Sequence, residues 1–200
     1  MSSEPPRRGR PRSERARLAI LKAAADLLLE HGSASVSMDA VAELAGVSKA
    51  TIYRWWPSKE TLALDALYAE WAHAGPPAPD TGSLRGDLHA LIDPWARLLS
   101  AKRYGPIVAA LVTEAQSNPE FGEAYRARVV EPRRDVARAI FARAIERGEI
   151  PAGTNVEVAL DLVYGPIYHR LLHGHAPLDD RFAQEAVDTA LRGIAHGGRE

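Results

Sequence analysis

One short segment near the N-terminus restricts the fold of this chain more than any other: SMDAVAELAGVSKATIYRWWPSK. Its pattern predicts two short helices joined by a tight turn. Ser37 can cap the first helix, because its hydroxyl can accept a hydrogen bond from the unpaired N–H groups of the first turn. Gly46 follows the last apolar position of that helix, where a left-handed backbone costs glycine little. Ser48 can cap the second helix, which is predicted over residues 49–56.

Apolar spacing supports the same two helices. The first has a stripe at helical spacing, made of Met38, Val41, Ala42 and Ala45. In the second, Ile52 and Trp56 are four residues apart and are predicted to face inward together. The side chains left to face outward are Lys49, Thr51, Tyr53, Arg54 and Trp55. A helix that displays cations, hydroxyls and aromatic rings beside a tight corner is typical of a helix-turn-helix, whose second helix can enter a major groove.

The longer run AVAELAGVSKATIYRWWPSKETL resembles the DNA-binding signature of the TetR family of bacterial transcription repressors. The Ala-Gly-Val-Ser corner, the Ile-Tyr pair and the Ser-Lys-Glu exit stand in the family's order, within about the first 75 residues. The resemblance implies an all-α fold of about nine helices, with a three-helix helix-turn-helix domain followed by a helical ligand-binding and dimerisation domain. It also implies a homodimer that binds double-stranded DNA at a palindromic operator and is released by a small molecule.

Composition excludes several classes of protein. The chain of 200 residues has no cysteine, which excludes disulfides and thiolate chemistry. It has no run of about 18 apolar residues, so we expect no membrane span. Its charged, proline-rich N-terminus lacks the apolar stretch of a secretory signal. A cytoplasmic location is therefore expected.

The net charge of −1 conceals a basic N-terminal end. Among the first 25 residues, Glu4 and Glu14 oppose a larger set of cations: Arg7, Arg8, Arg10, Arg12, Arg15, Arg17 and Lys22. Positive charge gathered at one end of a nearly neutral chain is typical of a nucleic-acid-binding surface.

Residues 1–12 have almost no apolar content and are predicted to form a disordered basic arm. The tetrad Arg8-Gly9-Arg10-Pro11 resembles an AT-hook, in which an extended backbone carries arginines into the narrow minor groove of A·T-rich DNA. The alternative is a solvated tail that only attracts phosphate groups non-specifically.

Two domains are predicted after the arm, over residues 13–74 and 83–200, because the segment GPPAPDTG between them has the composition of a linker. The first long helix is predicted from Ser13 to about Glu30. The second domain shows no alternating strand pattern. Its helices are predicted over residues 83–101 with a kink at Pro94, 104–116, 118–147 with a disturbance at Pro132, 156–173 and 179–195.

The predicted DNA-binding residues are Arg8, Arg10, Arg15, Ser48, Lys49, Ala50, Thr51, Tyr53, Arg54, Trp55 and Lys59. Arg54 can make a bidentate contact with guanine, although a phosphate or solvent remains an alternative partner. Lys59 begins a helix, where a bound phosphate would explain a cation that opposes the helix dipole. The resemblance implies that Tyr53, Trp55 and Lys59 hold the DNA backbone and that Trp56 belongs to the core. Many family members have histidine where this chain has Trp55.

The last two helices are predicted to pair with those of a second copy, because the apolar residues of the first cover more than one face and those of the second form a stripe of small and large groups. The residues assigned to this interface are Val158, Leu162, Gly165, Pro166, Phe182, Ala186 and Ala190. The alternative is a kinked helix in the core of a single chain.

A ligand pocket is predicted among aromatic and polar side chains of the middle helices, for which core packing or surface exposure is the alternative. The candidates are Trp95, Tyr104, Glu114, Tyr125, Phe141, Tyr164 and Tyr168. Glu114 stands among apolar neighbours, and if it is buried it needs a partner, such as a cationic ligand.

We expect no metal site, no cofactor and no catalytic centre. His169 and His173 have a spacing that can chelate a metal, but no cysteine or glutamate accompanies them. The leading hypothesis is therefore a ligand-responsive repressor. The alternative is an all-helical interaction protein whose basic arm contacts polyanions non-specifically.

Overall fold

The computed structural model describes residues 10–31, 36–74, 78–102 and 104–196. All secondary structure in these ranges is helical, which confirms the all-α prediction. The chain divides into two compact units between Ala74 and Gly75. Among the described helices, none combines the length and hydropathy that a membrane-spanning segment requires.

The first unit contains four helices, α1 (Arg10–His31), α2 (Met38–Ala45), α3 (Lys49–Tyr53) and α4 (Lys59–Ala74). Helix α1 packs against both α2 and α4. The core is formed by buried side chains from all four helices and from the turn that follows α3. They include Ile20, Leu28, Val41, Ile52, Trp56, Leu62 and Leu64. The indole Nε1 of Trp56 donates a hydrogen bond to Asp65 at 2.8 Å, which links the turn after α3 to α4.

The predicted caps of the helix-turn-helix are confirmed. The Ser37 hydroxyl accepts from the N–H of Ala40 at 3.1 Å, and the Ser48 hydroxyl accepts from that of Thr51 at 3.3 Å. Gly46 has φ = 65°, and its N–H bonds to the last carbonyls of α2. These local contacts fix the angle between α2 and α3, because they satisfy backbone groups that would otherwise be unpaired at the corner.

Two helix limits differ from prediction. Helix α1 begins at Arg10 and not at Ser13, so residues 10–12 of the predicted arm are helical. Proline is tolerated in a first helical turn, because the N–H that it lacks has no partner there, and Pro11 therefore does not stop the helix. Helix α3 ends at Tyr53 and not near Trp56. Pro57 accounts only for the helix not reaching Trp56, because proline disfavours helical geometry in the residue before it.

The second unit contains α5 (Leu84–Ser100), α6 (Tyr104–Ser117), α7 (Pro119–Tyr125), a π-helical turn (Arg126–Val130), α8 (Glu131–Glu146), α9 (Val156–His173) and α10 (Asp180–His196). Helix α5 packs against α6, α8 and α10, and α9 packs against α8 and α10. The predicted helix starts at Ser83 and Asn118 are confirmed. The Ser83 side chain accepts a hydrogen bond from the N–H of Gly86, and the Asn118 side chain accepts one from the N–H of Phe121.

The disturbance predicted at Pro132 is a π-helical turn. Proline cannot donate to a carbonyl four residues earlier and its ring crowds that group, so the preceding turn widens. The Glu131 N–H accordingly donates to the carbonyl of Arg126, five residues back. The backbone stays helical throughout, and α7, the turn and α8 form one continuous helix. Counted in this way, the described residues form nine helices.

Asp87 is a charged residue with a fully buried side chain in α5. Its carboxylate accepts from the N–H of Thr81 at 2.5 Å and from the Thr81 hydroxyl at 2.8 Å. Arg143 lies 3.4 Å and Arg147 3.6 Å from the other carboxylate oxygen. Arg143 also donates to the carbonyl of Pro79. This network fastens the end of the predicted linker to α5 and α8.

Candidate DNA interface and regulatory site

Helix α3 presents the side chains predicted to contact DNA on its outer face. Lys49, Ala50, Tyr53 and Arg54 are exposed, as is Ser48. Burial of Ile52 beneath them orients this face, because side chains four residues apart lie on the same side of a helix. The α3 face therefore carries one ammonium, one guanidinium and one phenol in solvent, and these groups can donate hydrogen bonds to base edges and phosphates.

Lys49 is not a free cation in this structure. Its Nζ lies 2.9 Å from Asp39 in α2, and hydrogen bonding to that carboxylate raises the pKa of Lys49. Asp39 was not singled out from the sequence, although an acid in the first turn of a helix is a recognisable signal. The predicted phosphate contact would therefore require Lys49 to exchange this exposed ion pair for a phosphate.

Ser48 and Thr51 have structural tasks at the start of α3. Their hydroxyl oxygens lie 2.9 Å apart, and Ser48 also caps the helix through the Thr51 N–H. Thr51 is half-buried. These two hydroxyls hold the helix start in position. Tyr53 at the end of α3 and Arg54 directly after it are exposed and have no ion-pair partner among the described residues.

Trp55 differs from its predicted role. Its indole Nε1 is buried and has no hydrogen-bond partner among the described residues, so it is not the accessible phosphate donor that the sequence predicts. The ring packs 6.2 Å from that of Trp56, and the Arg54 guanidinium lies 5.8 Å from its centroid. Helix α3 ends before Trp55, so this residue does not follow the helical register that the prediction assumed.

The remaining predicted DNA contacts are at the start of α4, in the first two turns of α1, or outside the described residues. Lys59 is exposed at the first position of α4, with its Nζ 3.9 Å from Glu60. Arg15 is exposed in α1. The side chain of Arg10 is outside the described residues, although its backbone begins α1, and Arg8 lies outside them entirely.

In the second unit, four of the predicted pocket residues surround one arginine that was not predicted from the sequence. The Arg133 guanidinium lies 3.6 Å from the centroid of the Trp95 ring. Its Nη1 donates to the Tyr168 hydroxyl at 3.0 Å, and the Tyr164 hydroxyl lies 3.5 Å from the Arg133 carbonyl. Burial and the charge and hydroxyl of nearby Tyr168 raise the pKa of Tyr125. We call these five residues, Trp95, Tyr125, Arg133, Tyr164 and Tyr168, the Arg133 cluster.

The other predicted pocket residues have different surroundings. Glu114 is half-buried and accepts from the Asn118 side-chain nitrogen at 3.1 Å, so a side chain of the next helix start already supplies the partner for which we considered a cationic ligand. Phe141 is fully buried in the core. Tyr104 is half-buried at the first residue of α6.

The outer face of α9 and α10 carries the residues predicted to form a dimer interface. Val158 and Leu162 are large apolar side chains exposed to solvent, at 52% and 48%. A groove of about 540 Å³ is lined in part by Leu162, Pro166, Phe182, Ala186 and Ala190. The Arg170 guanidinium covers the Phe182 ring at 3.3 Å. Gly165 is exposed, and a Cβ added to it would meet no atom beyond its chain neighbours within 4 Å.

The three histidines at the end of α9 are close together. The ring of His169 lies 4.7 Å from that of His173 and 4.9 Å from that of His175. Within the described ranges, no group of three or more histidine, cysteine or acidic side chains is arranged to hold a metal ion.

Comparisons with known proteins identify both units. Two family models match, "Bacterial regulatory proteins, tetR family" over residues 20–66 and "Tetracyclin repressor-like, C-terminal domain" over residues 78–190. The chain is 39% identical to the uncharacterized HTH-type transcriptional regulator YdeS of Bacillus subtilis, over 94% of both chains. It is 33% identical to the DNA-binding transcriptional repressor TetR of Mycobacteroides abscessus, over 90% of this chain and 94% of that one. The crystal structure of the TetR family transcription regulator SCO0332 superposes with a TM-score of 0.80 at 36% identity, covering 90% of this chain and 98% of that one.

Proposed function

The chain belongs to the TetR family of helix-turn-helix transcription regulators, and we propose that it is a dimeric repressor that a small-molecule ligand releases from a palindromic operator. Its relatives are transcription regulators, a class that acts by binding and not by catalysis. We place the protein in the cytoplasm, where its DNA partner lies.

The α3 face is the observation that supports this proposal most strongly. Ile52 and Trp56 are fixed in the core, and the side chains of Tyr53 and Arg54 extend into solvent from the same turn. A helix held at both ends by a cap and a buried anchor keeps its polar side chains in register with base edges. An interaction protein with a non-specific basic arm would need no such rigid corner.

The short length of α3 is the reason for proposing a dimer. Helix α3 contains 5 residues, so one copy contacts few base pairs. Two copies related by two-fold symmetry would read a palindrome with half-site centres about 34 Å apart, or a multiple of that distance. The apolar face of α9 and α10 is the surface that we assign to this pairing, because burial of Val158 and Leu162 against a second copy removes apolar area from water.

Ligand control requires two states of different affinity for DNA. A ligand that binds the second unit better in the state that does not fit the operator shifts the population toward that state, by no more than its differential affinity. We assign the ligand to the Arg133 cluster, because it gathers four aromatic side chains and one cation from α5, α7, α8 and α9.

Arg54→Ala is expected to relax sequence preference at one base pair in each half-site, because one bidentate guanine contact contributes about 1–3 kcal/mol of discrimination. Selection from a pool of random duplexes measures this preference for the wild type and the variant. Arg126→Ala, which removes an exposed arginine from the π-helical turn, serves as the control and should return the wild-type consensus. An unchanged consensus for Arg54→Ala would show that Arg54 does not read a base.

Lys59→Ala is expected to weaken binding to all duplexes alike, because a phosphate contact carries no sequence information. The plot of log K against log salt should become shallower by about 0.9 for each phosphate that the ammonium no longer neutralises, and a dimer has two such lysines. Fluorescence anisotropy at several salt concentrations measures the slope. Lys102→Ala removes the same charge from the second unit and should leave the slope unchanged. Equal slopes for wild type and Lys59→Ala would contradict the phosphate contact.

A further inference from the structure

Arg54 lies directly after α3, and its long side chain is exposed to solvent. Its guanidinium makes no hydrogen bond or ion pair with the described residues, so its N–H donors are available to a base. A bidentate guanine contact needs the planar group in one orientation, and fixing a long side chain in that orientation costs rotamer entropy. A group that restricts the guanidinium before DNA binds therefore strengthens recognition of that base.

The indole of Trp55 lies next to this guanidinium. The guanidinium carbon of Arg54 lies over the ring, 5.8 Å from its centroid, which is within the range of about 6 Å for a cation–π contact. Such a contact is made with the face of the ring, and the N–H donors of arginine lie in the plane of its own group. The indole can therefore restrict the direction of Arg54 without competing with a base for hydrogen bonds.

Trp55 is itself held by the turn that follows α3. Its backbone N–H donates to the carbonyl of Ile52 at 2.9 Å, and the backbone N–H of Trp56 donates to the same carbonyl at 3.0 Å. The Trp55 ring lies 6.2 Å from the Trp56 ring, which is 2% exposed and is hydrogen-bonded to Asp65. The Trp55 indole is therefore a surface attached to the core of the first unit, against which an exposed side chain can rest.

The polar edge of this indole is turned away from solvent. The Trp55 Nε1 is buried and has no hydrogen-bond partner among the described residues. A buried atom cannot donate to a phosphate unless the ring moves, whereas the half-buried ring already contacts the guanidinium of Arg54. The structure thus connects Trp55 to DNA through Arg54.

We infer that Trp55 is a positioning residue for sequence recognition, whose indole holds the Arg54 guanidinium in the orientation that reads a base. The indole itself donates no hydrogen bond to the DNA. This inference rests on the proposed function, because it names the residue that supports base recognition by the same face of the helix-turn-helix.

The test compares Trp55→Leu, which removes the aromatic face, with Trp55→Phe, which keeps one. Fluorescence anisotropy measures the affinity of each chain for the selected duplex and for a duplex in which the base pair assigned to Arg54 is replaced in one half-site. The ratio of the two dissociation constants is the discrimination at that base pair. Trp55→Leu should lower this ratio about two- to fivefold, the equivalent of one exposed cation–π contact, whereas Trp55→Phe should keep most of it.

A double-mutant cycle separates positioning from a structural role. In an Arg54→Ala background, Trp55→Leu should leave the ratio unchanged, because there is no guanidinium to hold. A structural role would instead weaken binding to both duplexes alike. Circular dichroism verifies that each variant is folded at the temperature of the measurement, and Trp55→Met replaces Trp55→Leu if the latter is unfolded.

Failure of this inference is distinguishable from failure of the proposed function. A wild-type ratio in Trp55→Leu would overturn the inference, whether or not the affinity falls for both duplexes alike. A further fall of the ratio in the Arg54→Ala background would also overturn it, as would an unchanged consensus for Arg54→Ala, because no base contact would remain to be positioned. In these cases the proposed function stands if the chain selects a palindromic duplex, and it fails if the chain selects none.

Discussion

Leu162→Glu is expected to convert the proposed dimer into a monomer and to lower its affinity for the proposed operator by about 10²–10⁴, the gain that linking two binding modules provides. Leu162 is 48% exposed in the single chain, so a glutamate there is solvated and leaves the monomer folded. In a two-fold dimer the substitution enters the interface twice. Two carboxylates that must leave water without partners cost far more than two leucines gain. Analytical ultracentrifugation at micromolar concentration measures the change.

The matched control is Leu18→Glu, which places the same charge at a leucine of α1 that is 54% exposed and belongs to the first unit. This variant should remain a dimer. A dimeric Leu162→Glu with wild-type affinity for DNA would place the interface elsewhere. Circular dichroism of both variants verifies that helical content is unchanged.

Asp87→Ala is expected to lower the free energy of unfolding by about 1–3 kcal/mol, because it leaves the donors of Thr81 and Arg143 without their carboxylate acceptor. Asp87 is 0% exposed, and its carboxylate accepts hydrogen bonds from Thr81 and Arg143 and lies 3.6 Å from Arg147. Although burial favours the protonated acid, hydrogen bonds from Thr81 and Arg143 lower the pKa of Asp87 below its ordinary value. The stabilisation is therefore present at neutral pH and declines as the pH falls through this lowered pKa.

Asp161→Ala provides the comparison, since Asp161 also pairs with an arginine, Arg134 at 2.6 Å, but its side chain is 70% exposed. An exposed ion pair contributes about 0–1 kcal/mol, so this variant should unfold close to the wild type. Urea denaturation of both variants measures the difference. Equal unfolding free energies for the two variants would show that the Asp87 network does not stabilise the second unit.

Local rules predicted the helix-turn-helix and its capping residues. Ser37, Gly46 and Ser48 act on backbone groups within four residues of themselves, so their roles can be inferred from sequence alone. The same locality explains the confirmed starts at Ser83 and Asn118. A helix end before Trp56 could also have been predicted from the sequence, because Pro57 disfavours helical geometry in the residue before it.

Contacts between distant residues were beyond prediction. Arg133 and Tyr168 are 35 residues apart and meet only because the bundle brings α8 against α9. Four aromatic candidates of the cluster could be identified by residue type, whereas the arginine among them could not be distinguished from a surface cation. The burial of Trp55 Nε1 likewise depends on where the chain turns after α3.

Selection of duplexes from a random pool by the wild-type chain tests the central claim most directly. We expect a palindromic consensus whose half-site centres lie about 34 Å apart or a multiple of that distance, bound by two chains or a multiple of two. A pool that shows no consensus, or a single half-site bound by one chain, would contradict this claim.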